Sequence, residues 1–179
     1  MADRQQLLIE QIPHLRRYAR VLHAGHTADA DDLVQDTLER AVNKWGLWRG
    51  AGSVRPWLFS IMHNLFVDQC AVRHAQTAQS LEDLPDGALP MQAATQDTRI
   101  EALELLAALQ RPSVPLREVL LLVAVEGLSY AETAKALGVP TGTVMSRLSR
   151  ARSQLWQLTS GEGTQRPALR VIDGQRSVG

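Results

Sequence analysis

Residues 128–155 read LSYAETAKALGVPTGTVMSRLSRARSQL, and the punctuation of this stretch decides how the chain folds. Ser129 followed by Glu132 is a capping box, in which each residue satisfies a backbone N–H of the other, and it fixes the start of a short helix. Ala131, Ala134 and Leu137 give that helix a small apolar face, and Gly138 supplies the turn into a second helix. There Val144, Leu148, Ala151, Leu155 and Leu158 recur every three or four positions, so they form its packed stripe. Thr143, Ser146, Arg147, Ser149, Arg150 and Arg152 project elsewhere. A helix buried on one face and polar on the other can sit in a DNA major groove. Its first N–H groups can meet phosphate, and arginine can pair bidentately with guanine. Arg152, nearer the packed side and further from the helix start, is the weakest of these contacts. The competing reading is a bundle helix with a solvated basic face.

Helical periodicity continues through the rest of the chain without an alternating strand pattern, so the expected class is all-α. A first helix is predicted over about 4–22, with Leu8, Ile12, Leu15, Ala19 and Leu22 on one stripe and Pro13 splitting or kinking it. A second begins near 28–31, where Asp29, Asp31 and Asp32 complement the positive end of the helix dipole. It runs through Leu33, Val34, Leu38, Ala41 and Val42 to Trp45. Gly46, Gly50 and Gly52 mark a loop, after which Ser53 reads as the N-cap of a third helix with Pro56 in its first turn. That helix, 53–74, is apolar around much of its circumference and should be largely buried.

Composition changes at about Ala75. Residues 76–98 hold four acids, no Lys or Arg, two prolines and a glycine, which is the composition of a flexible linker. Beyond it come a helix over 99–110, a proline-bounded break at 111–115 and a very apolar helix, LREVLLLVAVE, ending at Gly127. Residues 161–179 read as a disordered tail. The expected organisation is two small helical domains, 1–75 and 99–160, joined by the acidic linker.

The 179 residues include 45% apolar side chains, enough for a packed core. Nineteen basic residues balance nineteen acidic ones, which excludes a uniformly basic coat and leaves room for a local basic patch. The single cysteine, Cys70, excludes an internal disulfide and suits a reducing cytosol. No apolar h-region opens the chain and no apolar run approaches membrane-spanning length, so a soluble cytoplasmic protein without membrane insertion is expected. His23 with His26, and His63 with Cys70, lack the ligand density of a zinc site; no metal and no cofactor are expected. Neither a phosphate-binding glycine loop nor a nucleophile–base signature occurs, so an enzyme acting alone is not expected.

The stretch from Glu126 to Leu155 resembles region 4 of bacterial RNA polymerase sigma factors of the extracytoplasmic function (ECF) group, in the sigma-70 family. ADADDLVQDTLERAVNKW (28–45) followed by VRPWLFSIMHNLFVD (54–68) resembles region 2 of the same group, in the expected order. Together the matches cover most of residues 5–158. The resemblance implies a factor that binds core RNA polymerase and directs initiation by reading a duplex −35 element and a melted −10 element. It implies that Asp32, Gln35 and Asp36 dock on the polymerase clamp coiled coil, where acidic and amide groups can pair with a basic helix. Asp29 and Asp31 are read instead as serving the helix dipole.

Asn64 matches the asparagine, at a loop or helix edge, that captures an unstacked −10 base, since an amide both donates and accepts. Chemistry alone fits equally an asparagine bonded to backbone at a helix bend. Trp57 is read as core, while Trp45 and Trp48 border the loop, open to packing or DNA contact. Thr143, Ser146, Arg147, Ser149 and Arg150 are the implied −35 contacts. Two departures stand out. Met145 occupies a position where the group often has a basic residue, and QCAVRHAQTAQ (69–79) is weakly basic, leaving Arg73 and His74 for phosphate. Members of the group are commonly held by an anti-sigma factor. The alternatives are a helix-turn-helix regulator acting without polymerase, with 1–75 as a dimerisation or sensory bundle, and a sigma-like mimic that binds a regulatory protein.

Overall fold

Pro13 divides the first predicted helix in two. The computed structural model describes residues 2–48, 50, 52–79 and 107–160, and every regular element among them is helical. Helix α1 (Ala2–Ile9) ends in a turn, and α2 (Ile12–Leu22) restarts with Pro13 in its first turn, where a missing N–H costs nothing. Leu8, Leu15, Ala19 and Leu22 are buried as the stripe predicts, joined by Tyr18 and Val21.

Helix α3 (Thr27–Asn43) buries Ala30, Leu33, Val34, Thr37 and Ala41. Its expected reach to Trp45 falls short, because Trp45–Leu47 tighten into a 3-10 turn. Val42, assigned to the stripe by spacing, is 61% exposed, while Thr37 replaces it inside. The Thr37 hydroxyl donates to Leu33 O at 2.7 Å, which satisfies its burial.

Helix α4 (Arg55–Gln79) runs unbroken past Ala75, where the composition predicts a linker. Ser53 serves its start from one position further out than an N-cap: its Oγ accepts the Arg55 N–H at 3.2 Å. Leu58, Phe59, Ile61, Met62, Leu65 and Phe66 are buried, as the apolar circumference requires. The rest of the acidic linker, most of the predicted 99–110 helix and the tail lie outside the described residues.

The C-terminal unit begins, among the described residues, with a helical turn at 107–110. It continues as α5 (Val114–Leu120), a π turn (Leu121–Val125), α6 (Tyr130–Leu137) and α7 (Thr141–Ser160). The predicted continuous helix over 116–126 is therefore α-helical only in its first half. Glu126 N–H bonds Leu121 O at 2.9 Å, five residues back, and Leu128 N–H bonds Leu122 O at 2.9 Å across Gly127. Gly127 makes this ending possible, because its φ of +70° lies in the left-handed region.

The reading of this segment as simply apolar misses its charges. Arg117, Glu118 and Glu126 are all buried. Arg117 Nη2 donates to Gln110 O at 2.8 Å and Pro112 O at 3.1 Å, tying down the break before α5, and burial lowers its pKa. Glu118 and Glu126 find their partners in the N-terminal unit. An eight-residue separation in an α-helix lies about 80° around the axis. The extra residue of the π turn makes eight positions behave as seven, within about 20° of two full turns. Both carboxylates consequently face the same neighbour.

One continuous apolar core results, reaching from Leu8 to Ala151. Within the N-terminal unit α3 packs between α2 and α4; within the C-terminal unit α7 packs on α5 and α6. The two units then meet, with α4 against α6 and α2 against α5.

Candidate nucleic-acid interface

The helix-turn-helix forms as its punctuation dictates. Ser129 Oγ accepts the Glu132 N–H at 3.2 Å, and Glu132 Oε2 accepts the Ser129 N–H at 2.8 Å. Gly138 closes α6 at φ +64°, Val139 N–H reaches back to Ala134 O at 3.0 Å, and Pro140 O accepts the first N–H groups of α7. Ala134 and Leu137 are buried as predicted, but Ala131 is exposed and Thr133 and Ala136 are buried in addition. The sequence periodicity misses this second buried side because α6 lies between α7 and α4.

On α7 the packed stripe is confirmed, with Val144 at 0%, Leu148 at 2% and Ala151 at 0% exposure. Leu155 is half-buried, and the Leu158 side chain lies outside the described residues. Thr143 and Arg147 are half-buried along one border of the stripe; Ser146, Ser149 and Arg150 are exposed. The Ser146 hydroxyl donates to Thr143 O at 3.1 Å, so it faces outward chiefly as an acceptor. Met145 is 54% exposed and lines a shallow depression with Tyr130, Ser149 and Arg152. No acidic side chain among the described residues pairs with Arg147, Arg150 or Arg152.

In the N-terminal unit Asp32, Gln35 and Asp36 are exposed and follow one another around a turn of α3. Asp29 and Asp31 do more than serve the dipole. Asp31 Oδ1 lies 3.6 Å from Arg16 Nε, and Asp29 Oδ2 accepts from Arg73 Nη2 at 3.1 Å, tying α3 to α4. Arg73, an implied −10 contact, therefore spends one donor on Asp29, and the His74 side chain lies outside the described residues. Asn64 is exposed in the middle of α4, not at a loop or helix edge. The helix is unbroken there.

The tryptophans pack together. Trp45 and Trp48 centroids lie 5.0 Å apart, Trp57 meets Trp45 edge-on at 5.9 Å, and Arg4 sits 5.8 Å above Trp45. Trp57 and Trp48 are half-buried against the core, which favours packing at all three. His63 Nδ1 lies 2.7 Å from Glu118 Oε1, and burial raises the Cys70 thiol pKa. No group of three metal-ligating side chains occurs among the described residues.

These elements define a two-part helical DNA reader: one helix-turn-helix with an open polar face, and one bundle with an acidic turn and an exposed amide. The comparisons give the same class. Residues 8–63 match the family model for the Sigma2 domain of PhyR, and residues 102–155 match that for sigma-70 region 4. The ECF RNA polymerase sigma factor EcfG of Rhodopseudomonas palustris is 34% identical over 165 residues, covering 88% of this chain and 86% of the relative. The sigma factor RpoE of Bartonella quintana, solved with the anti-sigma factor NepR, superposes with a TM-score of 0.77 at 31% identity, over 89% of this chain and 98% of that one. CnrH, solved with the cytosolic domain of CnrY, gives 0.65 at 26% identity, over 89% and 88%. The chain belongs to the ECF group of RNA polymerase sigma factors.

Proposed function

We propose that this sigma factor divides promoter recognition between its two units. In the C-terminal unit, Thr143, Ser146, Arg147, Ser149 and Arg150 read the −35 duplex in the major groove. In the N-terminal unit, Asn64 holds an unstacked base of the melted −10 element while Arg73 approaches its backbone. Asp32, Gln35 and Asp36 dock on the polymerase clamp. The chain supplies specificity and the polymerase supplies the chemistry, in the cytoplasm, with no cofactor. The observation that carries this reading is the division of α7: Val144, Leu148 and Ala151 are buried, while Ser146, Ser149 and Arg150 are left open.

Tethering two weak readers on one polymerase makes the second contact effectively intramolecular, which reconciles specific binding with zero net charge. The structures of RpoE and CnrH were solved with NepR and CnrY, and they support an anti-sigma protein as a partner here too. Among the described residues no helix is long and apolar enough to cross a membrane.

Run-off transcription with purified core polymerase on genomic fragments tests the proposal. Promoter-specific initiation supports it. Duplex binding without initiation favours a regulator acting without polymerase, and binding to neither favours a sigma-like mimic.

A further inference from the structure

Among the described residues, Met145 is the one large apolar side chain that α7 leaves exposed within its first two turns. Helix α7 begins at Thr141, so Met145 is its fifth residue. At 100° per residue it stands about 100° round the axis from buried Val144 on one side, and Thr143 stands about 100° round on the other. Ser146, Ser149 and Arg150 are exposed and fall in the arc between them, opposite the packed stripe. Met145 therefore borders the same open face as Arg150. It also lies closer to the N-terminal end of the helix, where recognition helices contact base edges.

A single exposed methionine means little by itself, since apolar atoms make up much of any protein surface. This one is distinguished by its neighbours, which are otherwise short polar or basic. Ser149 follows at i+4 and so lies beside it on the helix surface. The Ser149 hydroxyl is bonded to nothing among the described residues, whereas the Ser146 hydroxyl donates to Thr143 O. Ser149 thus keeps a donor to give, and Met145 offers a polarisable apolar end with no donor. Arg152, two turns beyond Met145 on the same flank, borders the shallow depression that both residues line and is placed to meet a neighbouring phosphate.

In the major groove one standard base presents an apolar group at its edge: thymine, whose C5-methyl adjoins the O4 acceptor. A methionine pressed on the amino group of cytosine or adenine, or on the acceptors of guanine, would take those groups out of water without a partner and so penalise those bases. We propose that Met145 and Ser149 together read one thymine of the −35 element, Met145 lying on the C5-methyl and the Ser149 hydroxyl donating to O4, so that the exposed methionine sets the base preference at that position. This inference rests on the assignment of α7 to the −35 duplex and sharpens it.

The test uses holoenzyme reconstituted from core polymerase and the full chain, on a promoter fragment that initiates in run-off transcription. Each thymine of the −35 element, on either strand, is replaced in turn by deoxyuridine, which lacks the methyl and keeps O4. In competition binding, wild type should bind about fourfold more weakly at one such position, the worth of one methyl group taken out of water. Met145→Ala should bind thymine and deoxyuridine there alike, and Met145→Leu should keep the difference. Ser149→Ala should weaken binding to both by the same factor. Thermal unfolding of the variants at the wild-type midpoint confirms that these exposed positions leave the fold unchanged. Wild type indifferent to deoxyuridine at every position overturns the thymine reading, and so does a deoxyuridine effect that survives Met145→Ala. Weaker titration of core polymerase by Met145→Ala also overturns it, by placing Met145 on the polymerase. Arg150→Ala separates this inference from the one beneath it. Reduced discrimination by Arg150→Ala with no deoxyuridine effect means that α7 reads the −35 element without Met145. Promoter choice unchanged by either substitution strikes the −35 assignment itself, and the thymine reading falls with it.

Discussion

Glu126 accepts the Arg17 Nε–H at 2.8 Å across 109 residues of chain, and it does so because the helix before it winds through a π turn. The turn brings Glu126 onto the same side as Glu118, whose partner Tyr18 is held protonated: burial, and then the neighbouring Glu118 charge, push the phenol pKa well above its ordinary value. Deleting Ala124 turns the π turn back into an α turn and leaves the carboxylate seven positions from Glu118, still within about 20° of the same side. The deletion variant should therefore keep the contact with Arg17 and His14 and stay compact in solution, as read by scattering. An expanded deletion variant would show that the π turn does more than absorb one extra residue.

The recognition helix depends on its buried stripe. Leu148→Ala should destabilise the protein by about 2–5 kcal/mol, since the cavity adds to the lost transfer energy. Urea unfolding with an unchanged slope checks this. A loss below about 1 kcal/mol would mean that α7 is not packed as described.

Arg150→Ala should remove about 1–3 kcal/mol of discrimination between the cognate −35 element and a variant sequence if the guanidinium meets a base edge. Competition binding by the holoenzyme measures the difference. Equal losses on both sequences would place Arg150 on phosphate.

Asp36→Arg should weaken core polymerase binding, most visibly in the association rate and its salt dependence, because an exposed charge acts mainly through steering. Titration of labelled core enzyme at two salt concentrations reads this. Identical rates at both would remove Asp36 from the interface.

His23 is buried beside Phe66, with Nε2 unpaired among the described residues. Burial lowers its pKa, Arg73 lowers it further, and Asp29 only partly compensates. The unfolded chain therefore takes up a proton below about pH 6.5 that the folded chain resists. Stability should fall as pH drops through that value, by up to about 1.4 kcal/mol per pH unit, and level off below the folded pKa. His23→Leu should flatten this part of the stability profile. An unchanged slope would assign the pH dependence elsewhere.

Much of the fold was legible because local rules govern it. The Ser129–Glu132 box, the Gly138 turn and the Val144–Leu148–Ala151 stripe need only neighbours within one or two helical turns. The same holds for Pro13 splitting the first helix and for the exposed acidic turn of α3. Val42 misled because helical spacing alone cannot tell the flank of a stripe from its centre, and Thr37 went inside by bonding its own helix. Asn64 was expected at a loop or helix edge and lies inside α4, since nothing in its neighbours announces that the helix continues.

The sequence by itself determined the helices, their caps, the packed stripes and the polar faces left for partners, because each of these follows from periodicity and backbone chemistry close at hand. Only the tertiary structure decided that the two units close on one another. Glu118 and Glu126 sit in a run that reads as apolar, and their partners Tyr18, His63, His14 and Arg17 lie 55 to 112 residues away. A buried charge is tolerated only where distant groups converge on it, and that convergence is a property of the folded chain.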